Sequence, residues 1–251
     1  MNAPRTIGIL GGMGPLATVD LYRKIIEATP ANSDQEHLPV LIDADPRVPD
    51  RTAALLEDGE DPTPWLIRGA QRLEAAGASF IIIPCNTAHA FLEPVRSACS
   101  IPIVDMIDEA ARVTSQLIAS GGTAGILATR GTIAACLYQA ALERHGLRWV
   151  VPDEDDQNQV METIYHVKSG KTDPTAAAPA LSTARVLAEG GANALLAACT
   201  ELPVVLRQDD LNVPLIDPTD VLARAAVNAA TEDRTFQRLQ RGVEKARSNV
   251  S

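Results

Sequence analysis

The chain has 251 residues, 46% of them hydrophobic and 22% charged, with a formal net charge of -10. That length buries a good core as one large domain or two small ones, and the composition is that of an ordinary folded protein rather than a disordered one. The acidic balance argues against nucleic acid or an anionic membrane as partner, since both need clustered Lys and Arg, but a few buried cations still suffice to hold a small dicarboxylate. Met1-Asn2-Ala3-Pro4-Arg5-Thr6 lacks the basic, apolar and cleavage regions of a signal peptide. No apolar run approaches the roughly 20 residues that span a bilayer. Cys85, Cys99, Cys136 and Cys199 are scattered, with no CxxC or other metal-ligand spacing. A soluble cytoplasmic protein with free thiols and no metal is expected.

In chain order, Thr6-Ile7-Gly8-Ile9-Leu10 reads as a first strand, followed by the turn Gly11-Gly12-Met13-Gly14-Pro15 and a helix from about Leu16. The turn does not match GxGxxG, so backbone N–H groups approaching a small anion are favoured over a dinucleotide. Pro39 to Asp43 is a second strand. It leads into Asp45-Pro46-Arg47-Val48-Pro49-Asp50-Arg51-Thr52, a loop whose arginines suit a carboxylate gripped bidentately. Helix resumes near Ala53, and a second helix, opened by Pro62-Thr63-Pro64, ends at Gly77.

Phe80-Ile81-Ile82-Ile83 is a buried strand. It ends at Pro84-Cys85-Asn86-Thr87-Ala88-His89, ahead of helical sequence from Ala90. Cys85 is thus expected where a strand ends and a helix begins, the edge at which open α/β sheets bind ligands and where helix N–H groups favour thiolate over thiol. Ile101 to Asp105 comes next, and Met106 to Leu117 reads as a helix. Ala124 to Thr129 is a strand, with Arg130-Gly131-Thr132 opening one helix through Cys136 and Leu142. Trp149 to Val151 is a short strand, and the acidic run from Asp153 starts a helix that brings up Lys168. A helix from Pro174 to Glu189 leads to the strand Asn193 to Ala198, which ends at Cys199-Thr200-Glu201. After Val213 to Asp217 a helix starts near Pro218, and the charged tail from Arg234 to Ser251 is expected to fray.

This order repeats. The first strand and its turn match the strand before Thr129, Phe80…Cys85-Asn86-Thr87 matches Ala194…Cys199-Thr200-Glu201, and Ile101 to Asp105 matches Val213 to Asp217. The separations are about 115 residues, too long for a solenoid and right for two similar domains. The fold class is therefore α/β, two similar Rossmann-like domains with parallel sheets related by internal pseudo-symmetry. The domains are placed at residues 1–116 and 117–217, with a C-terminal helix at 218–251 packing back on the first. Facing each other, they hold Cys85 and Cys199 on opposite walls of one cleft.

Inverting a carbon stereocentre takes a base on one face and an acid on the other, and a thiolate removing an α-proton needs cations and N–H donors at the carboxylate. Candidates for these roles are Asn86, Thr87 and Ala88 after Cys85. Thr200 follows Cys199. Arg51 and Lys168 neutralise carboxylates, and Glu201, or less readily His89, holds a proton beside its thiol. Cys99 and Cys136 are assigned no role, and His37, His145 and His166 lack a partner at readable spacing.

The motifs Ile7-Gly8-Ile9-Leu10-Gly11-Gly12-Met13-Gly14-Pro15, Pro49-Asp50-Arg51-Thr52, Pro84-Cys85-Asn86-Thr87-Ala88-His89 and Cys199-Thr200-Glu201 resemble the aspartate racemase branch of the cofactor-independent aspartate/glutamate racemase superfamily. The resemblance takes in Ala128-Thr129 with Gly131-Thr132, Val167-Lys168 and Pro214-Leu215-Ile216-Asp217-Pro218, and so covers nearly the whole chain. It implies two α/β domains around a central cleft and a homodimer without pyridoxal phosphate or metal. It also implies Cys85 and Cys199 as the acid/base pair, with Arg51 and Lys168 as cations for a dicarboxylic amino acid and Met13 and Thr129 among its contacts. Gly11-Gly12-Met13 and Glu201 depart from the glutamate branch, which resembles Asp-Ser-Gly and Cys-Thr-His at those places. Arg47 is outside the family pattern. The expected activity is interconversion of L- and D-aspartate. The alternatives are racemisation of glutamate or another amino acid, isomerisation of a maleate-type diacid, or dicarboxylate binding without chemistry.

Overall fold

The computed structural model describes residues 4–248, with side chains through residue 241. The first three residues of the N-terminal segment and the last three of the charged tail lie outside the described residues. The first half runs β1 (Ile7–Gly11), α1 (Pro15–Ala28), β2 (Val40–Ala44), α2 (Arg51–Leu56), α3 (Thr63–Ala75), β3 (Phe80–Ile82), α4 (Leu92–Ala98) and α5 (Met106–Leu117). The second runs β4 (Thr123–Ala128), α6 (Arg130–Ala134), α7 (Leu137–Arg144), β5 (Arg148–Val150), α8 (Glu154–Lys168), α9 (Pro174–Glu189), β6 (Ala194–Ala198), α10 (Leu202–Val205) and β7 (Leu215–Ile216). Helices α11 (Pro218–Thr231) and α12 (Asp233–Ser248) close the chain. Two compact units result, one of residues 1–50, 60–106 and 222–251, the other of residues 51–59 and 107–221.

Unit 1 is built on a parallel sheet of order β2-β1-β3. Every residue of β1 and β3 is buried, yet their side chains still alternate. Ile7, Ile9, Phe80 and Ile82 pack with Leu21 and Ile25 of α1 and Leu222 and Ala226 of α11. Leu10, Ile81 and Ile83 pack on the other face with Leu66, Ala70 and Leu73 of α3 and Val95 of α4. Gly8 lies within this close packing, where a Cβ would stand 2.9 Å from Ala78 Cβ and 3.2 Å from Phe80 O.

Unit 2 carries a parallel sheet of order β5-β4-β6-β7. Ala124, Ile126, Leu196 and Ile216 face Tyr138 and Leu142 of α7, whereas Leu127, Leu195 and Ala197 face Val160 and Ile164 of α8 and Ala184 of α9. In both units the first strand is central, the second lies on one side and the third on the other. Residues 101–105 and 213–217 then follow beside the third strand. The repeat read in the sequence is thus a repeat of topology.

Residues 101–105 form no strand, only a parallel bridge of Ile103 to Ile81, with Ile81 N–H donating to Pro102 O at 2.8 Å and Val104 N–H to Ile81 O at 2.9 Å. Pro102 offers no N–H to extend the ladder, and α5 begins at Met106. Likewise β7 is two residues long. The helix through Cys136 is two helices, because Cys136 takes a left-handed φ of 52° that ends α6 before α7 begins. The tail is helical over Asp233–Ser248: Phe236 and Leu239 of α12 pack on the unit 1 core, Arg5 pairs with Asp233, and the Arg5 guanidinium lies 4.3 Å above the Phe236 ring.

Candidate active site

In unit 1 the strand of Phe80, Ile81 and Ile82 ends at Ile83 and Pro84, and Cys85 follows with its side chain buried at 6% exposure. A 3-10 turn at Thr87–Phe91, not an α-helix, succeeds it, and α4 starts only at Leu92. Cys85 N–H donates to Ile83 O at 2.9 Å. Asn86, Thr87 and Ala88 are buried, and Met13, Cys85 and Ala88 share one apolar cluster. The turn bearing Met13 is set by Gly12, whose N–H donates to Thr18 Oγ1 at 2.9 Å. Gly12 has φ +91, and a Cβ there would meet the Asp45 backbone at 2.5 Å, so the loops after β1 and β2 touch through a position only glycine fits.

His89 is buried in this half. Its Nδ1 lies 2.9 Å from Cys85 O and its Nε2 3.2 Å from Met106 N. A carbonyl only accepts and a backbone N–H only donates, so the ring is neutral with its proton on Nδ1. Burial holds the imidazole below its ordinary range, with Asp105 opposing. His89 thus brackets the Cys85 backbone to the start of α5 and has no ring nitrogen left over for a proton relay. Arg47 is exposed and committed to Asp45, with Nε to Oδ1 and Nη2 to Oδ2 both at 2.9 Å. The guanidinium and the Arg47 N–H hold Asp45 down to about 2.

In unit 2, Cys199 follows Ala198 directly at the end of β6 and is also 6% exposed. Its Sγ donates to Glu201 Oε2 at 3.0 Å, and Thr200 Oγ1 donates to the same oxygen at 3.2 Å. Glu201 is itself buried. Burial raises the Cys199 thiol well above its ordinary range, the Glu201 charge raises it further, and Lys168 at the end of α8 pulls it down. Thr129 is buried at the end of β4, where its Oγ1 caps α6 by accepting from Thr132 N–H at 3.1 Å. Arg51 opens α2, which packs on α6.

The residues singled out in the sequence therefore fall into two sets. Met13, Asn86, Thr87 and Ala88 accompany Cys85 in unit 1, while Arg51, Thr129, Lys168, Thr200 and Glu201 belong with Cys199 to unit 2. Met13, Cys85 with Asn86 to Ala88, Thr129, and Cys199 with Thr200 and Glu201 follow the carboxyl ends of parallel strands, where converging backbone N–H groups meet ligands, whereas Arg51 opens α2 and Lys168 ends α8. Cys99 is a core residue whose Sγ donates to Val95 O at 3.3 Å, and Cys136 is exposed. His145 lies 3.2 Å from Asp108 Oδ1. The bracket made by His89 joins residues 17 apart in sequence, and only its place one turn after Cys85 hinted at it. Among the described residues no three His, Cys, Asp or Glu side chains are grouped to hold a metal ion, and no helix is long and apolar enough to cross a membrane.

Residues 10–226 match the Asp/Glu/Hydantoin racemase family. An aspartate racemase of Picrophilus torridus superposes with a TM-score of 0.78 at 32% identity, covering 96% of this chain and 98% of that one. The broad specificity amino-acid racemase RacX of Bacillus subtilis is 28% identical over 228 residues, which is 88% of this chain and 96% of the relative. A glutamate racemase of Francisella tularensis shares the fold, with a TM-score of 0.68 at 19% identity over 92% of this chain and 83% of that one. The chain belongs to the Asp/Glu/hydantoin racemase family, whose racemases are isomerases.

Proposed function

We propose that the protein interconverts L- and D-aspartate by proton transfer at Cα, with Cys85 and Cys199 as the two acid/base groups and no cofactor. The observation that carries this reading is the pair itself: in each unit a buried cysteine follows the third strand, Cys85 after Ile83 and Pro84 and Cys199 directly after Ala198. One thiolate takes the Cα proton, the electron pair spreads into the α-carboxylate, and the other thiol returns a proton to the opposite face. Arg51 and Lys168 neutralise the two carboxylates of the substrate, since the carbanion is reached only if the carboxylate accepts charge. Backbone N–H groups at Asn86, Thr87, Ala88 and Thr200 serve the same end, and Met13 and Thr129 shape the walls. The 32% identity to an aspartate racemase across 96% of the chain favours aspartate among the substrates. We also infer a cytoplasmic homodimer, as the sequence resemblance implies, with light scattering after gel filtration as the check.

The test is incubation of the freshly reduced protein with L-aspartate in D₂O, following Cα–H loss by NMR and D-aspartate by chiral chromatography, beside Cys85→Ser and Cys199→Ser. Deuterium entry with inversion, lost in both variants, is the expected result. No exchange at Cα would overturn the aspartate assignment. The likeness to a broad-specificity racemase favours a second reading, a wider range of amino acids, and a substrate panel that includes glutamate and neutral amino acids separates the two.

A further inference from the structure

We propose that the Glu201 carboxylate holds the proton of Cys199 and so fixes Cys199 as the acid of the resting pair, leaving Cys85 to act first as base. The inference rests on the two-thiol reading above. Its ground is geometric. Cys199 Sγ is 3.0 Å from Glu201 Oε2, a short separation for a thiol donor. The same oxygen accepts from Thr200 Oγ1, and both Cys199 and Glu201 are buried. A carboxylate accepts only, so the sulfur must supply the proton of this bond. Losing that proton would set two negative charges side by side away from water. The two halves of the molecule differ here: among the described residues no hydrogen bond ties Cys85 Sγ to a carboxylate.

The charged groups around Cys199 act in two directions. Glu201, on the same turn, disfavours the thiolate, and Lys168 at the end of α8 favours it. Helix α8 also carries Glu162 and His166, and α9 carries Arg185, which donates to Asp210 O at 3.4 Å, and Glu189. Strand β6 and helix α10 contribute no charged side chain.

In the first turnover the Cα–H bond breaks as the Cys85 S–H bond forms, and the Cys199 S–H bond breaks as a proton reaches the opposite face of Cα. The product departs from an enzyme with a thiol at Cys85 and a thiolate at Cys199. Proton uptake from water at Cys199 and proton loss to water from Cys85 restore the starting arrangement. Glu201 drives that return, because the thiolate it faces is the strained form. It is a positioning residue: it acts through Cys199 and not on the substrate.

The experiment maps iodoacetamide labelling of each cysteine by mass spectrometry from neutral to alkaline pH, in the full-length protein and in Glu201→Gln. In the parent, Cys199 is expected to react with a midpoint above the ordinary thiol value of about 8.5. In Glu201→Gln the midpoint is expected to fall by about one pH unit or more, the size of a removed like charge at contact distance. An ordinary midpoint in the parent, or an unmoved midpoint in the folded variant, overturns the proposal. If Glu201→Gln does not fold by circular dichroism, Glu201→Ala takes its place under the same criterion, because burial also raises the parent midpoint. Labelling needs no substrate, so the two readings fail separately. A shift without racemisation of any amino acid removes the racemase mechanism, and racemisation without a shift removes the role given to Glu201.

Discussion

His89→Leu gives a prediction whose size follows from two hydrogen bonds. The substitution leaves Cys85 O and Met106 N–H buried without the partners they have at 2.9 Å and 3.2 Å. Each lost bond costs about 1 kcal/mol net, and an orphaned buried group up to about 3 kcal/mol, so the variant is expected to be less stable by roughly 2–4 kcal/mol at neutral pH. At about 2–4 °C per kcal/mol for a chain of this size, the melting midpoint falls by roughly 5–15 °C. The effect also carries a pH signature. The folded imidazole titrates below its ordinary value, so below about 6.5 the unfolded chain binds a proton that the folded protein resists. The stability that His89 contributes is present above that pH and is lost as pH falls through the folded value. The gap between the parent and His89→Leu should therefore narrow on acidification, by at most about 1.4 kcal/mol per pH unit. Urea unfolding at neutral pH and at mildly acidic pH measures both quantities. A variant as stable as the parent at neutral pH, or a gap that widens on acidification, would refute the bracket.

Three further outcomes test other parts of the structure. Gly12→Ala should destabilise by more than about 2 kcal/mol in urea unfolding, because its Cβ would stand 2.5 Å from the Asp45 backbone at φ +91. Carboxyl NMR titration should find Asp45 near 2, and Arg47→Ala should return it toward its ordinary value of 3.8, with no change in the midpoint if the paired side chains are not in contact. Phe80→Ala should cost about 3–5 kcal/mol in thermal or urea unfolding, since the ring is fully buried against Ile7, Ile9 and α1 of unit 1.

The strands that carry the site were legible because both-face burial leaves a short unbroken apolar run, as in Phe80 to Ile83 and Ala194 to Ala198, bounded by residues that stop it. Cys85 and Cys199 could be placed at strand ends for the same reason, and Glu201 was near enough in sequence to suspect beside its thiol. Local rules do not reach the places where pairing is decided elsewhere. Composition leaves residues 101–105 unassigned, because whether they make a ladder depends on a neighbour's register and on the missing N–H of Pro102. Helix through Cys136 looked continuous, since nothing in the side-chain pattern announces a left-handed residue.

By itself, then, the sequence determined the alternation of strands and helices, the internal repeat and the cysteine positions, because these rest on periodicity and on residues adjacent in the chain. Only the tertiary structure decided that His89 is spent on Cys85 O and Met106 N–H, that Arg47 is occupied by Asp45, and that the helix Asp233–Ser248 is held by Phe236 and Leu239. Each of these depends on which donor meets which acceptor or apolar face once distant segments are packed, and a buried polar group takes whichever partner the fold delivers.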